Sequence, residues 1–336
     1  MAIRSLRVGT LVVVAAQTRA LVILNPRSSP SAVVPVAIPA LQRVGKPRFA
    51  PGRLSMSGVA LPACSAVGFW WVVAGGGAAG ILTQLGLQAV FDRSPDPIFS
   101  KSAGVTAHSV VAAMFCTFVT IFGCIGWFNP VYGAMTAAAR VVSPIDAVRW
   151  LGAFGFGVIA LWDIPTCFAI RELRKPSFLI HHFAMAAVAY CGLLLPSYHA
   201  FFFLGVVEAS SIPLSIYEGL ERAYDIASES DECAPERCER LMGLRDGFQT
   251  IATFMFMFMR LYLFTRVTFF GFWPDARSVL PSMAAGARKS TVRFLMAASA
   301  SFVALQFFWF SQIIQQIFIA KWFAAPTGDT DSTEVA

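Results

Sequence analysis

Residues Trp150–Ile170 read WLGAFGFGVIALWDIPTCFAI. The stretch has the length an α-helix needs to cross a bilayer, about 20 residues. It holds one charged side chain, Asp163. Apolar runs of the same length recur on both sides. Upstream lie Ala63–Phe91 and Ala107–Phe128, the latter closed by the turn pair Asn129-Pro130. Downstream, the charged hairpin Arg171, Glu172, Arg174, Lys175 leads into Phe178–Leu195, then Ser197–Tyr217, Phe248–Trp273 and Phe294–Ala320. Seven such runs predict an all-α integral membrane helical bundle of about seven transmembrane helices. Gly75–Gly77 and Gly80 in the first offer close helix packing, and Trp150, Trp273 and Trp322 suit an interfacial belt. Composition agrees: of 336 residues 57% are hydrophobic and 13% charged, with mean hydropathy +0.65. A soluble domain carries about 25% charged residues, so soluble and disordered classes are excluded.

The net charge of +7 is not spread along the chain. No Asp or Glu precedes Asp92, whereas Arg4, Arg7, Arg19, Arg27, Arg43, Lys46, Arg48 and Arg53 do. A basic segment free of acid and rich in Ser and Pro has the composition of an organellar transit sequence. Leu11–Ala16 adds a short signal-like apolar core. The chain thus divides into a basic leader or arm (1–58), a transmembrane domain (59–323) with a polar connection (218–246), and a polar tail (324–336). The expected membrane is the endoplasmic reticulum or, if the leader is a transit peptide, a plastid membrane. Because the positive excess sits in the leader, it gives no indication of nucleic-acid binding. In the polar connection, Tyr217–Ile226 has helical apolar spacing that prolongs the fifth span. Cys233 and Cys238 could pair if that connection faces an oxidising lumen; a solvated free pair is the default expectation.

Ionisable groups at membrane depth are costly and mark candidate sites. Here they are His108, Asp163, His181, His182, His199, Glu208 and Arg260. A helical rise of about 1.5 Å per residue puts Asp163 roughly 10 Å, His181 and His182 roughly 6–8 Å, Glu208 roughly 13 Å and Arg260 roughly 18 Å below one face. His108 sits at the mouth of its span on that face, and His199 belongs to the opposite one. Pro165 and Pro213 would free the carbonyls of Leu161 and Ala209. The groups therefore predict a polar cavity opening to one side. One of His181 and His182 is the candidate general base, since a neutral imidazole beside a carboxylate suits that task. Asp163 or Glu208 would orient it, and Arg260 would neutralise a carboxylate or phosphate or pair with Asp163. Structural readings stand beside these: an Asp163–Arg260 ion pair, Glu208 hydrogen-bonded to Ser210 or Ser211, and an inert interfacial His199.

The order of these features resembles the TLC-domain family, the TRAM, Lag and CLN membrane proteins. The matching residues are Ser102 and His108; Phe154-Gly155-Phe156 through Asp163; the charged hairpin; His181-His182; the element GVVEASSIPL with Glu208, Ser210, Ser211 and Pro213; Arg260; and Leu305-Gln306 with Trp309. The resemblance covers roughly residues 60–323. It implies a bundle around a lipid-accessible cavity and a role in lipid synthesis, transport or sensing, with membrane lipids as partners. In the ceramide-synthase branch the histidine pair serves N-acyl transfer from acyl-CoA, which implies catalytic His181, His182, Asp163 and Glu208, substrate-binding His108, Arg260 and Ser211, no bound cofactor, and acyl-CoA as a co-substrate. Leu193–Glu208 lacks the aspartates of that branch, and the glutamate-serine-proline element is closer to the smaller TLC proteins.

Other classes fare worse. Two-iron desaturases and hydroxylases need more histidines than the four present. The histidine spacing gives no support for a zinc lipid hydrolase, so no metal is expected. A retinal receptor needs a lysine within the last span, and Lys321 only ends it. A lipid sensor or carrier and a transporter stay open as alternatives to an acyltransferase.

Overall fold

The computed structural model describes residues 66–229 and 234–322. The leader and the tail lie outside them. All regular structure among the described residues is helical. The main elements are α1 (Ala66–Asp92), α2 (Ala103–Trp127), α3 (Asp146–Gly157), α4 (Pro176–Leu194), α5 (Ser211–Glu229), α6 (Pro235–Met255) and α7 (Ala287–Trp322). Among the described residues, six helical stretches are long and apolar enough to cross a membrane: Gly68–Asp92, Ala103–Trp127, Ala137–Ala169, Ala200–Glu229, Pro235–Val279 and Ala287–Gln315. The seventh expected span is the shorter apolar helix Phe178–Leu194. Many large apolar side chains face outward, Trp71, Leu82 and Phe270 among the most exposed, as a lipid-facing surface requires.

α1 packs along α2 and α3, α5 lies between α2 and α6, and α4 closes against α3 and α7. Small residues set the tightest approach. A side-chain carbon on Gly77 or Gly80 would run into Leu161 or Trp162, while Gly75 faces open space. Glycine at these points lets α1 approach α3 closely enough to bury Trp162, which is 2% exposed.

Three stretches are π-helical: Val158–Asp163, which continues α3, and Phe256–Leu263 and Val267–Phe272, which continue α6. Two have a visible cause. Pro165 and Pro274 follow the first and third; each lacks an N–H and would clash with the carbonyl four residues earlier, and the wider π turn relieves both problems. No proline accounts for Phe256–Leu263. Pro213 behaves differently from expectation. α5 starts at Ser211, so Pro213 sits in the first turn, where its missing N–H has no helical partner to lose.

The expected continuous span Ser197–Tyr217 is instead broken. Ala200–Phe203 forms one helical turn and Val206–Ser210 a 3-10 segment before α5 begins. Nearly all of Leu195–Val207 is buried. Its backbone is satisfied in part from elsewhere: Ile145 N donates to Pro196 O (3.1 Å) and Tyr198 N to Arg140 O (2.9 Å). Tyr198 Oη also donates to Trp127 O at 2.7 Å. Gly205 lies against Gly123 of α2, where neither position has room for a side chain. Non-helical backbone is tolerated at membrane depth only when enclosed by protein in this way.

The polar connection is a helical hairpin. α5 runs to Glu229, as the spacing of Tyr217–Ile226 predicts, and α6 starts at Pro235. Arg237 of α6 bonds Asp96 ahead of α2. Cys238 is disulfide-bonded, against the default expectation of a free thiol; Cys233, its expected partner, lies outside the described residues. Trp273 donates from Nε1 to Ser299 Oγ at 3.2 Å.

Candidate functional site

The wide turn that ends in Asp163 delivers a carboxylate to the middle of three helices. Asp163 is 7% exposed. His108 Nε2 of α2 bonds its Oδ1 at 2.9 Å, and His182 Nδ1 of α4 bonds its Oδ2. A carboxylate only accepts, so both imidazoles donate. His108 therefore carries hydrogen on Nε2 and His182 on Nδ1. In the neutral ring, His182 Nε2 is then left as a lone-pair base. Aromatic rings hold both imidazoles in place: Trp162 stacks on His108 at 5.2 Å and Phe178 lies on His182 at 4.3 Å between centroids. Cys167, one turn beyond Asp163, places its Sγ 3.7 Å from Oδ1.

A second polar group sits across the cavity. Arg260, in the π-helical part of α6, donates from Nε to Ser210 Oγ (2.8 Å) and from Nη2 to Ser211 Oγ (2.7 Å), and approaches Glu208 Oε2 at 3.4 Å. Ser211 Oγ donates to the same Glu208 oxygen at 2.6 Å. The 3-10 turn Val206–Ser210 presents Glu208, Ser210 and Ser211 together. Glu208 thus belongs to the arginine, not to the histidine pair, and Asp163 alone orients His182. The expected Asp163–Arg260 pair does not form.

The two groups face one cavity of about 470 Å³ that His108, Asp163, His181, His182, Glu208, Ser211 and Arg260 all line. That volume suits a small-molecule or lipid-headgroup site, about 300–1,000 Å³. His181 diverges from His182 by about 100° on the helix and differs in environment. Its ring meets Trp309 edge-on at 5.1 Å, and its buried Nδ1 has no hydrogen-bond partner. His181 and Arg260 also line a smaller, mostly apolar chamber of about 60 Å³. Ser102 stands apart: its Oγ donates to Ile98 O at 2.6 Å and meets Thr106, fixing the start of α2.

His199 is not an inert interfacial residue. It is 3% exposed, and its Nε2 bonds Asp275 Oδ2 at 3.0 Å. Arg140 grips the same carboxylate with Nε (2.7 Å) and Nη2 (2.8 Å). Sequence reasoning missed Asp275 and Arg140, because Asp275 lies just past the end of an apolar run and Arg140 between two runs, where charge looks ordinary. The signal that could have found them is Asp275 directly after Trp273-Pro274, on a helix that continues.

A model of the TLC-domain family matches residues 106–315. Neither the curated proteins nor the solved structures hold a match to the chain. The match begins at the mouth of α2, ends within α7, and encloses every residue of the cavity just described. The chain belongs to the TLC-domain family, as a multi-pass membrane protein of lipid metabolism or lipid homeostasis.

Proposed function

We propose that the chain is an acyltransferase acting on a membrane lipid, with acyl-CoA as co-substrate. One observation carries this reading: a histidine, His182, fixed by a buried carboxylate at the wall of a headgroup-sized cavity, beside a second histidine with a free ring nitrogen. His182 Nε2 takes the proton from the acceptor amine or hydroxyl as it attacks the thioester carbonyl. The thioester C–S bond then breaks, and the thiolate leaves as the proton is returned to it. Asp163 holds the ring and stabilises the imidazolium. His181, which lines the same cavity with its Nδ1 unpartnered, would bond the acyl oxygen or the attacking group. Arg260, steadied by Ser210, Ser211 and Glu208, offers a cation to a phosphate or carboxylate of either substrate. His108 is a positioning residue that acts through Asp163.

The test is lipid analysis of cells expressing the wild type, His181→Ala or His182→Ala at matched protein levels. A defined acylated lipid should rise with the wild type and with neither variant. Equal lipid profiles for all three proteins would instead make the histidines structural and favour a sensor or carrier. The basic leader supports delivery to the endoplasmic reticulum or a plastid, and a fluorescent fusion expressed in a plastid-bearing cell distinguishes the two.

A further inference from the structure

The donors gathered around Asp163 are more than a base-orienting clamp needs. His108 Nε2, Asp163 Oδ1 and Cys167 Sγ lie within 4.8 Å of one another, and all three residues are buried. Cys167 is 0% exposed and makes its described polar contact with Asp163. We propose that these three side chains form a binding site for a divalent transition metal, with zinc the ion of best fit.

Three arguments support it. The first is spacing. Zinc–nitrogen and zinc–oxygen bonds of about 2.0–2.1 Å and a zinc–sulfur bond of about 2.3 Å imply tetrahedral ligand separations of about 3.3 Å between N and O and about 3.5 Å between O and S. The observed separations are 2.9 Å and 3.7 Å, so these two edges need adjustments of a few tenths of an ångström, and the His108–Cys167 edge closes from within 4.8 Å. Asp163 and Cys167 are four residues apart and share a helix face, while His108 comes from α2 opposite them.

The second argument is donor chemistry. One imidazole, one carboxylate and one thiolate form a borderline-soft set that suits zinc and not magnesium or calcium. His108 and Asp163 both line the large cavity. A fourth position can therefore open to it, as catalytic zinc sites require. His182 stays on Oδ2 of the same carboxylate, which is the outer-shell partnership that fixes a ligand's orientation.

The third argument is charge. Arg260 and Glu208 neutralise each other, which leaves Asp163 without a permanent cation among its described partners. A divalent ion bound by one carboxylate, one thiolate and a neutral imidazole gives a neutral unit. That removes most of the cost of holding Asp163 inside the bundle. On binding, the Cys167 thiol releases its proton to solvent, and the His108 hydrogen moves from Nε2 to Nδ1.

This site does not depend on the acyl-transfer reading. The experiment is metal analysis of the full chain, purified in detergent with a histidine-free tag and no chelator, followed by cobalt exchange. The expected result is about one zinc per chain, with a thiolate-to-cobalt charge-transfer band after exchange. Cys167→Ser should abolish that band, and His108→Gln should weaken metal affinity by at least about tenfold. Thermal unfolding of each variant confirms an intact fold. Substoichiometric metal with no cobalt band overturns the proposal and leaves a hydrogen-bonded clamp only. A band that survives Cys167→Ser, and so comes from another thiol, overturns it equally.

Discussion

Asp163 and Asp275 are both buried carboxylates in helices of the membrane domain, and both accept from a histidine. They differ in their second partner. Asp275 is held by the bidentate guanidinium of Arg140, always charged, which pins the start of α3's span to the end of α6's. Asp163 has a second histidine instead. A carboxylate paired with arginine is electrically closed and serves as a fastening. A carboxylate held by two imidazoles can exchange a proton with whatever occupies the cavity. On the proposed function, the identity of one partner separates a cluster that fastens helices from one that carries a proton.

The sharpest way to break this comparison is to show that the two carboxylates' neighbours exchange roles. The largest effect is expected at the reactive end: His182→Ala should lower acyl transfer by about 10²–10⁴-fold. Its unfolding midpoint should stay close to the wild type's, as kinetics and thermal unfolding in detergent would show. At the structural end, Asp275→Ala strands Arg140 and His199 in the bundle. Destabilisation of about 3–5 kcal/mol is expected, read from denaturant unfolding, with the activity of the surviving folded fraction retained. Loss of activity without loss of stability there would undo the distinction.

Two milder substitutions sharpen it by leaving both carboxylates and their partners in place. Gly80→Val forces a side chain against Trp162 and should cost about 1–3 kcal/mol through overpacking. Because Trp162 stacks on His108, activity should fall with it, by less than for His182→Ala. Arg237→Ala removes a partly exposed ion pair with Asp96 and should change stability by less than about 1 kcal/mol. A larger loss in a thermal melt would show that the polar hairpin matters more to the fold than its exposure suggests.

The spans were legible because charge is so sparse that each run announces itself, and Asp163, Glu208, Arg260 and the histidine pair stood out for the same reason. Their pairing was not legible. Counting residues at a constant rise gives depth but not rotation, and each π turn rotates everything beyond it. Asp163 and Arg260 both follow or occupy such turns, which is how placement on the same side of the bilayer suggested a bond that does not form. Glu208 was placed on a regular helix, whereas a 3-10 segment turns it toward Arg260. Cys167 carries no signal of its own in the sequence, because His108, which completes its group with Asp163, comes from a distant part of the chain.

The broken stretch Leu195–Ser210 has a consequence for biogenesis. A continuous helix can enter lipid alone, because its peptide groups bond one another. This stretch cannot, since part of its backbone depends on Arg140 and Ile145, and its packing depends on Gly123 and Trp127. Its seating at membrane depth is expected to follow that of α2 and α3, which a glycosylation- or cysteine-accessibility time course during insertion would check. Membrane integration of this chain is therefore ordered in time, with the segment that carries Glu208 and Ser210 admitted only after the helices that will enclose it.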